Sequence, residues 1–372
     1  MKITHSKIES ERFKINVHRG SFENFRPSEL KKYIIENTVD LLILRLPSKN
    51  KVYQEKLEKL GFDSIHADSL VYYSKDLTKS DIQKPQNQLD FEVVTQDNQR
   101  FFDEIIPVIF KDYQNHYFSN PFLNPTDIND GYVEWAKNYV ANDNNRIAWY
   151  VKSEDRIAGF ATCSFDPLIM ECEGVLYGVM PGFEGKGIYS DIMRFTQDYF
   201  KKLGYKKMLV STQIQNYAVQ KVWVRENFFL THSFETYHIN SMLEYSVNEK
   251  KVFKIEITKK ELNEFAEYSG DYNSVHFDAE YARSLGFEDR IVHGMIIQAK
   301  LSKIFGTDYP GQGTLFMSNK NLFIKPMYLG VEYSIIISTT KIDQNGVIQV
   351  LAKILDSSSN LCLLSYNYLV KR

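Results

Sequence analysis

The sequence has few cysteines, no long apolar run and almost no net charge. Its cysteines, Cys163, Cys172 and Cys362, form neither a CxxC pair nor a Cys/His cluster, which argues against a disulfide framework and a structural zinc site. So sparse a use of cysteine is typical of a reducing compartment, and we therefore expect a cytoplasmic protein with no bound metal.

The chain also lacks the features of membrane and nucleic-acid proteins. No apolar run reaches the roughly 18 residues that span a bilayer, and the polar N-terminus does not have the pattern of a signal peptide. The 45 basic and 47 acidic residues give a formal net charge of -2, so charge provides no attraction to nucleic acid or to an anionic membrane. What is present is a globular composition over 372 residues, 43% hydrophobic and 14% aromatic, which predicts two or three domains with sizeable cores.

Two changes of pattern divide the chain. The polar stretch KSDIQKPQNQL, residues 79–89, predicts a linker, and a second break lies near residues 244–251. Short strands alternate with helices before the second break; after it, an apolar helix precedes four long strands. We predict an N-terminal α/β subdomain over residues 1–85, an α/β domain over 86–246, and an α+β domain with one helix against an antiparallel sheet over 250–372.

The third predicted domain begins with a compact group of polar residues. Asp271 and His276 are a carboxylate and an imidazole that converge only if the chain bends, and turn formers such as Gly270 lie beside them. Two proton-transfer groups facing one water suit the addition of water across a double bond. Some twenty residues later RIVHGM opens an apolar helix, where the N–H of Gly294 and the helix dipole would stabilise a developing enolate oxygen.

These residues lie in GDYNSVHFDAEYARSLGFEDRIVHGM, which resembles the MaoC-like (R)-specific enoyl-CoA hydratases. Their pattern is D-x-N-x-x-H followed by F-x-x-R-I-V-H-G-M, and the resemblance extends from about residue 253 to the C-terminus. It implies a hotdog fold, a homodimer and an (R)-3-hydroxyacyl-CoA product. By resemblance, Asp271 and His276 activate water, Asn273 orients them and the N–H of Gly294 binds the thioester oxygen. We expect His293 to be structural.

A glycine-rich turn lies in the middle of the chain, between a predicted strand and a predicted helix. Backbone N–H groups in such a turn can bind a pyrophosphate. Its sequence VMPGFEGKGIY, residues 179–189, and the later NYAVQKVWVRENF, residues 216–228, resemble the two acetyl-CoA motifs of GNAT-family N-acyltransferases. The resemblance covers about residues 90–244 and implies that an acyl-CoA thioester is bound by Val179, Gly185, Lys186, Gly187, Ile188, Tyr189, Asn216 and Trp223.

The middle region departs from the GNAT pattern at chemically important places. Glu184 replaces the usual Arg or Gln of the loop, Tyr189 replaces the family glycine after Gly-Ile, and Trp223 replaces the frequent general-acid tyrosine. Since an indole cannot protonate a thiolate as a phenol can, water, Tyr217 or Tyr237 would have to do so, or the thiolate leaves unaided. Glu173 is predicted to deprotonate the attacking ammonium through water; the alternative is a solvated carboxylate at a strand end.

A narrower resemblance concerns the acyl acceptor. HYFSNP, residues 116–121, and YVEW, residues 132–135, are similar to TDP-fucosamine acetyltransferases, which implies a dTDP-linked amino sugar. Its binding wall would consist of Tyr117, Phe118, Tyr132 and Trp135, although the same aromatic residues could simply be core.

The two resemblances together predict a bifunctional enzyme. It would hydrate a short enoyl-CoA and transfer the 3-hydroxyacyl group to the sugar amine, for a surface polysaccharide. One alternative is an acetyl-CoA-dependent sugar N-acetyltransferase whose hotdog domain only dimerises. The other is a hydratase of fatty-acid or polyketide metabolism whose GNAT-like part binds CoA or a carrier protein.

Overall fold

The computed structural model describes residues 2–50, 53–79, 81–140 and 145–372, which group into two compact units. Unit 1 comprises Met1–Glu29, Leu41–Lys56 and Ser64–Ile239, and unit 2 comprises Leu30–Asp40, Leu57–Asp63 and Asn240–Arg372. Within the described ranges, no helix is long and apolar enough to cross a membrane. The first 85 residues are thus divided between both units, and the three-domain division remains a prediction.

Strands and helices alternate along the first 240 residues. The elements before residue 100 are β1 (Ile3–His5), α1 (Lys7–Phe13), β2 (Val17–Ser21), α2 (Pro27–Glu36), β3 (Leu41–Pro47), α3 (Tyr53–Glu58), β4 (Asp63–Asp76) and β5 (Asp90–Val93). Those that follow are α4 (Phe101–Ile109), α5 (Pro125–Lys137), β6 (Arg146–Ser153), β7 (Arg156–Asp166), β8 (Glu171–Val179), α6 (Ile188–Lys202), β9 (Lys207–Gln213), α7 (Tyr217–Arg225) and β10 (Phe229–Asn240).

The described strands of this region form one mixed ten-stranded sheet, in the order β1-β2-β3-β10-β4-β9-β8-β7-β6-β5. Neighbours β8 and β9 are parallel but pair only between Glu171–Gly174 and Lys207–Val210. Because β8 continues to Val179 and β9 to Gln213 without further pairing, the sheet opens between them. This opening leads toward the glycine-rich turn at the start of α6.

The predicted linker is anchored rather than free. It has no helix or strand over residues 81–89, but the Asp191 carboxylate accepts the N–H groups of Gln86 and Asn87, both at 2.8 Å. Arg194 donates to the carbonyl of Lys84 at 3.0 Å and forms buried ion pairs with Asp191 and Glu226. Two charged residues of α6 therefore hold this segment in place.

Unit 2 has the helix-on-sheet architecture that the sequence predicts. Its C-terminal elements are β11 (Lys251–Glu256), α8 (Lys259–Ser269), α9 (Ser274–Phe277), α10 (Ala279–Ser284), α11 (Gly294–Lys303), β12 (Thr314–Phe323), β13 (Glu332–Ile342), β14 (Val347–Leu355) and β15 (Leu361–Lys371). The strands form an antiparallel sheet in the order β11-β13-β14-β15-β12. Ile296, Ile297 and Leu301 of α11 share one apolar core with Ile335 and Val350 of the sheet, the hotdog arrangement.

Two N-terminal segments belong to unit 2 through specific contacts. The ring of Phe62 lies 6.4 Å from that of Tyr366, and Tyr368 donates to the Asp63 carboxylate at 3.2 Å. Asp40 accepts the backbone N–H of Glu244 at 2.7 Å. These contacts join residues more than 200 positions apart, which sequence periodicity does not reveal.

Candidate active sites

A cavity of about 570 Å³ lies within unit 1, and its wall contains both charged and aromatic side chains. It is lined by residues of β3, β4, β8, β9, α5 and α7, among others. Strand register explains why side chains of β4, β8 and β9 meet at this cavity. Leu70 pairs with Gln213, Tyr72 with Ser211, and Leu209 with Glu173. Paired residues point to the same face of a sheet, so Glu173 shares that face with Tyr72.

Glu173 stands where the two strands part. β8 alternates half-buried and buried residues with a period of two, which directs Glu173 into the cavity that it lines. Burial raises the pKa of the Glu173 carboxyl above its ordinary value, and the nearby Arg45 guanidinium opposes that rise. A carboxylate with a raised pKa, in a cavity, is suited to accept a proton from an amine.

The aromatic residues predicted to bind the sugar are placed unequally. Tyr117, Tyr132 and Trp135 line the cavity, whereas Phe118 is not part of its wall. Tyr117 is also held by Arg19 at 2.6 Å, and Tyr132 stacks on Phe110 with ring centroids 4.6 Å apart. Trp135 is the most exposed of these three side chains, at 41%.

The glycine-rich turn has the backbone needed to bind phosphate. Gly182, Gly185 and Gly187 all have φ between +73° and +88°, a backbone conformation that residues other than glycine rarely adopt. Gly187 caps α6, so the N–H groups of Ile188 and the following residues are directed out of the helix end. Lys186 is exposed, and its ammonium donates to the carbonyl of Gly182 at 2.7 Å.

The other predicted acyl-CoA residues lie at the edges of the opening. Val179 ends β8, and Asn216 caps α7 and donates to the Thr212 hydroxyl at 3.0 Å. Trp223 is buried and its indole N–H donates to the Tyr189 hydroxyl at 3.3 Å. Asn216, Trp223 and Tyr189 all line the cavity.

The sequence interpretation did not consider Tyr189 as a proton donor for the leaving thiolate. Tyr217 is 66% exposed, and neither it nor Tyr237 lines the cavity. Tyr189 does line it, and because its oxygen accepts from Trp223, its own O–H proton remains available to a ligand. The sequence feature that could have indicated this role is Tyr189 in place of the glycine of the GNAT pattern, together with Trp223 in place of its tyrosine.

The second site, in unit 2, is a bend between α8 and α9. Gly270 ends α8 with φ +75°, and the Asp271 carboxylate accepts the N–H of Asn273 at 3.2 Å. Asn273 in turn caps α9, because its side-chain oxygen accepts the N–H of Val275 at 3.3 Å. Asn273 therefore orients Asp271 through its backbone, while its side chain fixes the helix that carries His276.

His276 has a defined tautomer in this arrangement. Its Nδ1 lies 2.8 Å from the carbonyl oxygen of Ile291 and must donate, since a carbonyl only accepts. The Nε2 lone pair is left 3.9 Å from Oδ2 of Asp271. Burial lowers the pKa of His276, opposed by the Ile291 hydrogen bond, so the neutral imidazole is favoured. Two acceptors at this separation suit a water that donates one hydrogen to each.

His293 completes the cluster from the opposite side. Its ring centroid lies 3.8 Å from that of His276, and its Nε2 is 2.9 Å from the backbone oxygen of Asp271. The carboxylate and two imidazoles have ligand atoms within 4.8 Å of one another. Because the Nε2 of His293 is committed to a carbonyl, the arrangement suits proton transfer better than metal coordination.

Gly294 is the first residue of α11, so its N–H has no partner within the helix. A Cβ added to Gly294 would lie 2.7 Å from atoms of the Phe323 ring. The glycine thus lets the Phe323 ring pack against the start of α11, and its N–H is a candidate oxyanion donor.

Two family models match this chain in the same order as the two sites. Residues 108–228 match the Acetyltransferase (GNAT) family, and residues 244–356 match the MaoC like domain. The (R)-specific enoyl-CoA hydratase of Aeromonas caviae is 31% identical over 91 residues, which are 24% of this chain and 68% of that protein. The chain belongs to the MaoC-like family, and residues 108–228 form a GNAT acetyltransferase domain. Unit 1 carries its GNAT domain and unit 2 its MaoC-like domain.

Other relatives match shorter shares of their own length. The mitochondrial 3-hydroxyacyl-[acyl-carrier-protein] dehydratase of Arabidopsis thaliana is 37% identical over 86 residues, 23% of this chain and 48% of that protein. The spore coat polysaccharide biosynthesis protein SpsD of Bacillus subtilis is 28% identical over 129 residues, 34% of this chain and 43% of that protein. The chain thus spans about half the length of these curated relatives.

Proposed function

We propose that the MaoC-like domain hydrates a short enoyl-CoA and that the GNAT domain transfers the resulting (R)-3-hydroxyacyl group to the amine of a dTDP-linked amino-dideoxy sugar. The observation that supports this most directly is that the candidate site of each domain contains side chains able to transfer protons. Asp271 and His276 present two acceptors to one water, and Glu173 presents a carboxylate to a cavity. The similarity to SpsD favours a polysaccharide precursor as acceptor.

In the hydration step, the water held by Asp271 and His276 adds its oxygen to C3 of the enoyl thioester. One carboxylate or imidazole takes the proton from that water, and the same water system returns a proton to C2. The N–H of Gly294 would stabilise the enolate oxygen between these events, at the N-terminus of α11.

In the transfer step, Glu173 takes one proton from the substrate ammonium through water. The free amine attacks the thioester carbon, the C–N bond forms and the C–S bond breaks. The leaving thiolate takes the phenolic proton of Tyr189, and the second proton of the nitrogen passes through solvent to the tyrosinate and restores the phenol. The products are an amide and CoA, with one net proton released.

A coupled assay tests this function. Crotonyl-CoA and a dTDP-4-amino-4,6-dideoxyhexose are supplied to the full chain, and the amide is identified by its mass. The proposal expects the 3-hydroxybutyryl amide. A crotonyl amide alone would refute the coupling, and hydration without any amide would favour a hydratase whose GNAT domain only binds CoA or a carrier protein.

The role of Tyr189 has a separate test. Tyr189→Phe removes the proton donor but keeps the ring, so kcat for amide formation should fall about 100-fold, the usual range for a lost general acid. Tyr217→Phe is the matched control, because Tyr217 lies outside the cavity wall. An unchanged kcat in Tyr189→Phe would mean that the thiolate leaves unaided.

We also propose that the chain is a homodimer through its MaoC-like domain. β12 is an edge strand that pairs only with β15 among the described strands, and Leu315, Phe316 and Met317 on it are 38–58% exposed. Exposed apolar edges are normally covered by another strand. A monomer in sedimentation equilibrium at micromolar concentration would refute this.

A further inference from the structure

Two buried histidines of unit 1 have no part in the transfer chemistry proposed above. His116 lies in a short helical turn, His116–Ser119, between α4 and α5; it lines the cavity and is 7% exposed. His238, on β10, is fully buried. Nδ1 of His116 lies 2.8 Å from Nε2 of His238, so one of these two nitrogen atoms donates a hydrogen to the other.

The side-chain amide of Asn120 decides which nitrogen donates. Its Oδ1 accepts the backbone N–H of Phe122 at 3.1 Å, so its Nδ2 is the atom that lies 3.1 Å from Nδ1 of His238. Because an amide nitrogen donates and does not accept, Nδ1 of His238 is the acceptor of this hydrogen bond and bears no hydrogen.

The remaining ring hydrogens follow from this one bond. An imidazole carries a hydrogen on at least one nitrogen, so the hydrogen of His238 is on Nε2 and is donated to Nδ1 of His116. The hydrogen of His116 is then on its own Nε2, and the ring is neutral. A neutral ring agrees with the pKa of His116, which burial lowers well below its ordinary value, together with His238, Arg19 and Arg45.

Nε2 of His116 is reached from the cavity. It forms no hydrogen bond within the part of the chain that the structure describes, yet it is not one of the buried polar atoms that lack a partner, and His116 is part of the cavity wall. Hydrogen bonds thus run in one direction from Phe122 through Asn120 and His238 to His116. Aligned hydrogen bonds polarise one another, which strengthens the donor at the end of the series.

The strand order places His116 away from the opening in the sheet. That opening lies between β8 and β9, whereas His238 belongs to β10, which β4 separates from β9. Two strand spacings amount to roughly 10 Å. The next residue along the chain is Tyr117, whose ring centroid lies 3.9 Å from that of His116. The donor is therefore on the side of the cavity that is left for the acyl acceptor once acyl-CoA occupies the opening.

We propose that His116 is a specificity residue whose Nε2 donates an uncharged hydrogen bond to an oxygen atom of the acyl acceptor. This inference rests on the proposed function and adds a residue that recognises the acceptor. The oxygen is a hydroxyl of the sugar or an oxygen of the nucleoside diphosphate, since both accept an N–H. His238 and Asn120 are positioning residues that hold the hydrogen of His116 on Nε2.

The tautomer is tested on the full chain, labelled with ¹⁵N-histidine and without ligand, by long-range ¹H–¹⁵N NMR correlation. The signals of His116 are identified by their loss in His116→Asn. We expect a hydrogen on Nε2 of His116 and none on Nδ1. His276 is an internal comparison, because its Nδ1 donates to the carbonyl of Ile291 and it should show the opposite tautomer. A hydrogen on Nδ1 of His116 would overturn the proposal.

Recognition is tested by equilibrium binding of a dTDP-4-amino-4,6-dideoxyhexose and of dTDP alone. His116→Asn removes the Nε2 donor, so the Kd for the nucleotide sugar should rise about 3- to 10-fold, the range for one uncharged hydrogen bond. His116→Gln, whose amide nitrogen can take the place of Nε2, should stay within about twofold of wild type. His18→Asn is the matched control, because His18 is also buried in unit 1 but does not line the cavity. Tryptophan fluorescence checks that each variant is folded.

A rise in Kd for the nucleotide sugar but not for dTDP would assign the oxygen to the sugar, and an equal rise for both would assign it to the nucleoside diphosphate. An unchanged Kd for both ligands in folded His116→Asn would overturn the proposal, as would an equal loss in His116→Gln. Amide formation with wild-type kcat/KM in His116→Asn would also overturn it, while leaving the proposed function intact. Binding that depends on His116 without amide formation by the wild type would keep the donor and refute the transferase function. If the wild type binds neither ligand, both proposals fall.

Discussion

The substitution Asp271→Asn tests the water site of the MaoC-like domain most sharply. Oδ2 of Asp271 and Nε2 of His276 are 3.9 Å apart, too far for a direct hydrogen bond. If the oxygen of a water lies about 2.8 Å from each acceptor, the angle at that oxygen between the two acceptors is roughly 90°, near the angle between its own O–H bonds. An amide in place of the carboxylate presents to the water either a donor or a neutral acceptor, and neither can take a proton from it.

The expected loss is large in rate and small in stability. Removing a positioned general base lowers the rate by about 10² to 10⁴, or roughly 2.7–5.5 kcal/mol in activation free energy. The fold should be kept, because the side-chain carbonyl of the new amide can replace Oδ1 of Asp271 in accepting the N–H of Asn273, and the side chain of Asp271 is 49% exposed. We expect the melting temperature to change by only a few degrees.

The assay follows the loss of the enoyl-thioester absorbance of crotonyl-CoA. Asp278→Asn is the matched control, because Asp278 also caps a short helix by accepting backbone N–H groups, at 2.8 and 3.1 Å, but lies outside the cluster with His276. Transfer from ready-made (R)-3-hydroxybutyryl-CoA should be unchanged in Asp271→Asn. A hydration rate within tenfold of wild type would show that the carboxylate is not the base.

Two further predictions concern unit 1. Arg194→Met should lower the free energy of unfolding of unit 1 by about 3–5 kcal/mol, because it leaves the buried carboxylates of Asp191 and Glu226 without their ion-pair partner. Urea unfolding followed by tryptophan fluorescence measures this free energy. A decrease below about 1 kcal/mol would contradict the prediction. Arg45→Gln should raise the pKa of Glu173, because the guanidinium of Arg45 lowers that pKa in the wild type. The proposed base works only when ionised, so the fall of kcat/KM for transfer on acidification should begin at higher pH in the variant. An unchanged pH profile would count against Glu173 as the base.

The sequence predicted the long elements well and the short ones poorly. The sequence pattern predicts a helix over Lys259–Ser269 and a strand over Glu332–Ile342, and α8 and β13 have these bounds. A capping box at Thr258 specifies the start of the helix, and apolar periodicity over some ten residues specifies the strand. The segments α9 and α10 have only four and six residues, too few for a helical period to be visible. They are set instead by side-chain caps at Asn273 and Asp278.

The candidate sites also differ in how much of them the sequence predicts. The motif around Asp271 and His276 is local, so its spacing and its resemblance to MaoC-like hydratases were enough to predict a site there. Arg45 could not be predicted in this way, because the folding of a ten-stranded sheet brings it near Glu173 from more than 100 residues away. Tyr189 was visible in the sequence as a departure from the GNAT pattern, but only its contact with Trp223 suggests a role.

The way the chain is divided bears on how the two activities can be separated. The polypeptide passes between the units at residues 29/30, 40/41, 56/57, 63/64 and 239/240, so no single cut yields both units intact. A fragment that starts near residue 246 would lack Phe62 and Asp63, whose partners Tyr366 and Tyr368 would lose their contacts. Point substitutions in the full chain therefore give a cleaner separation than truncation.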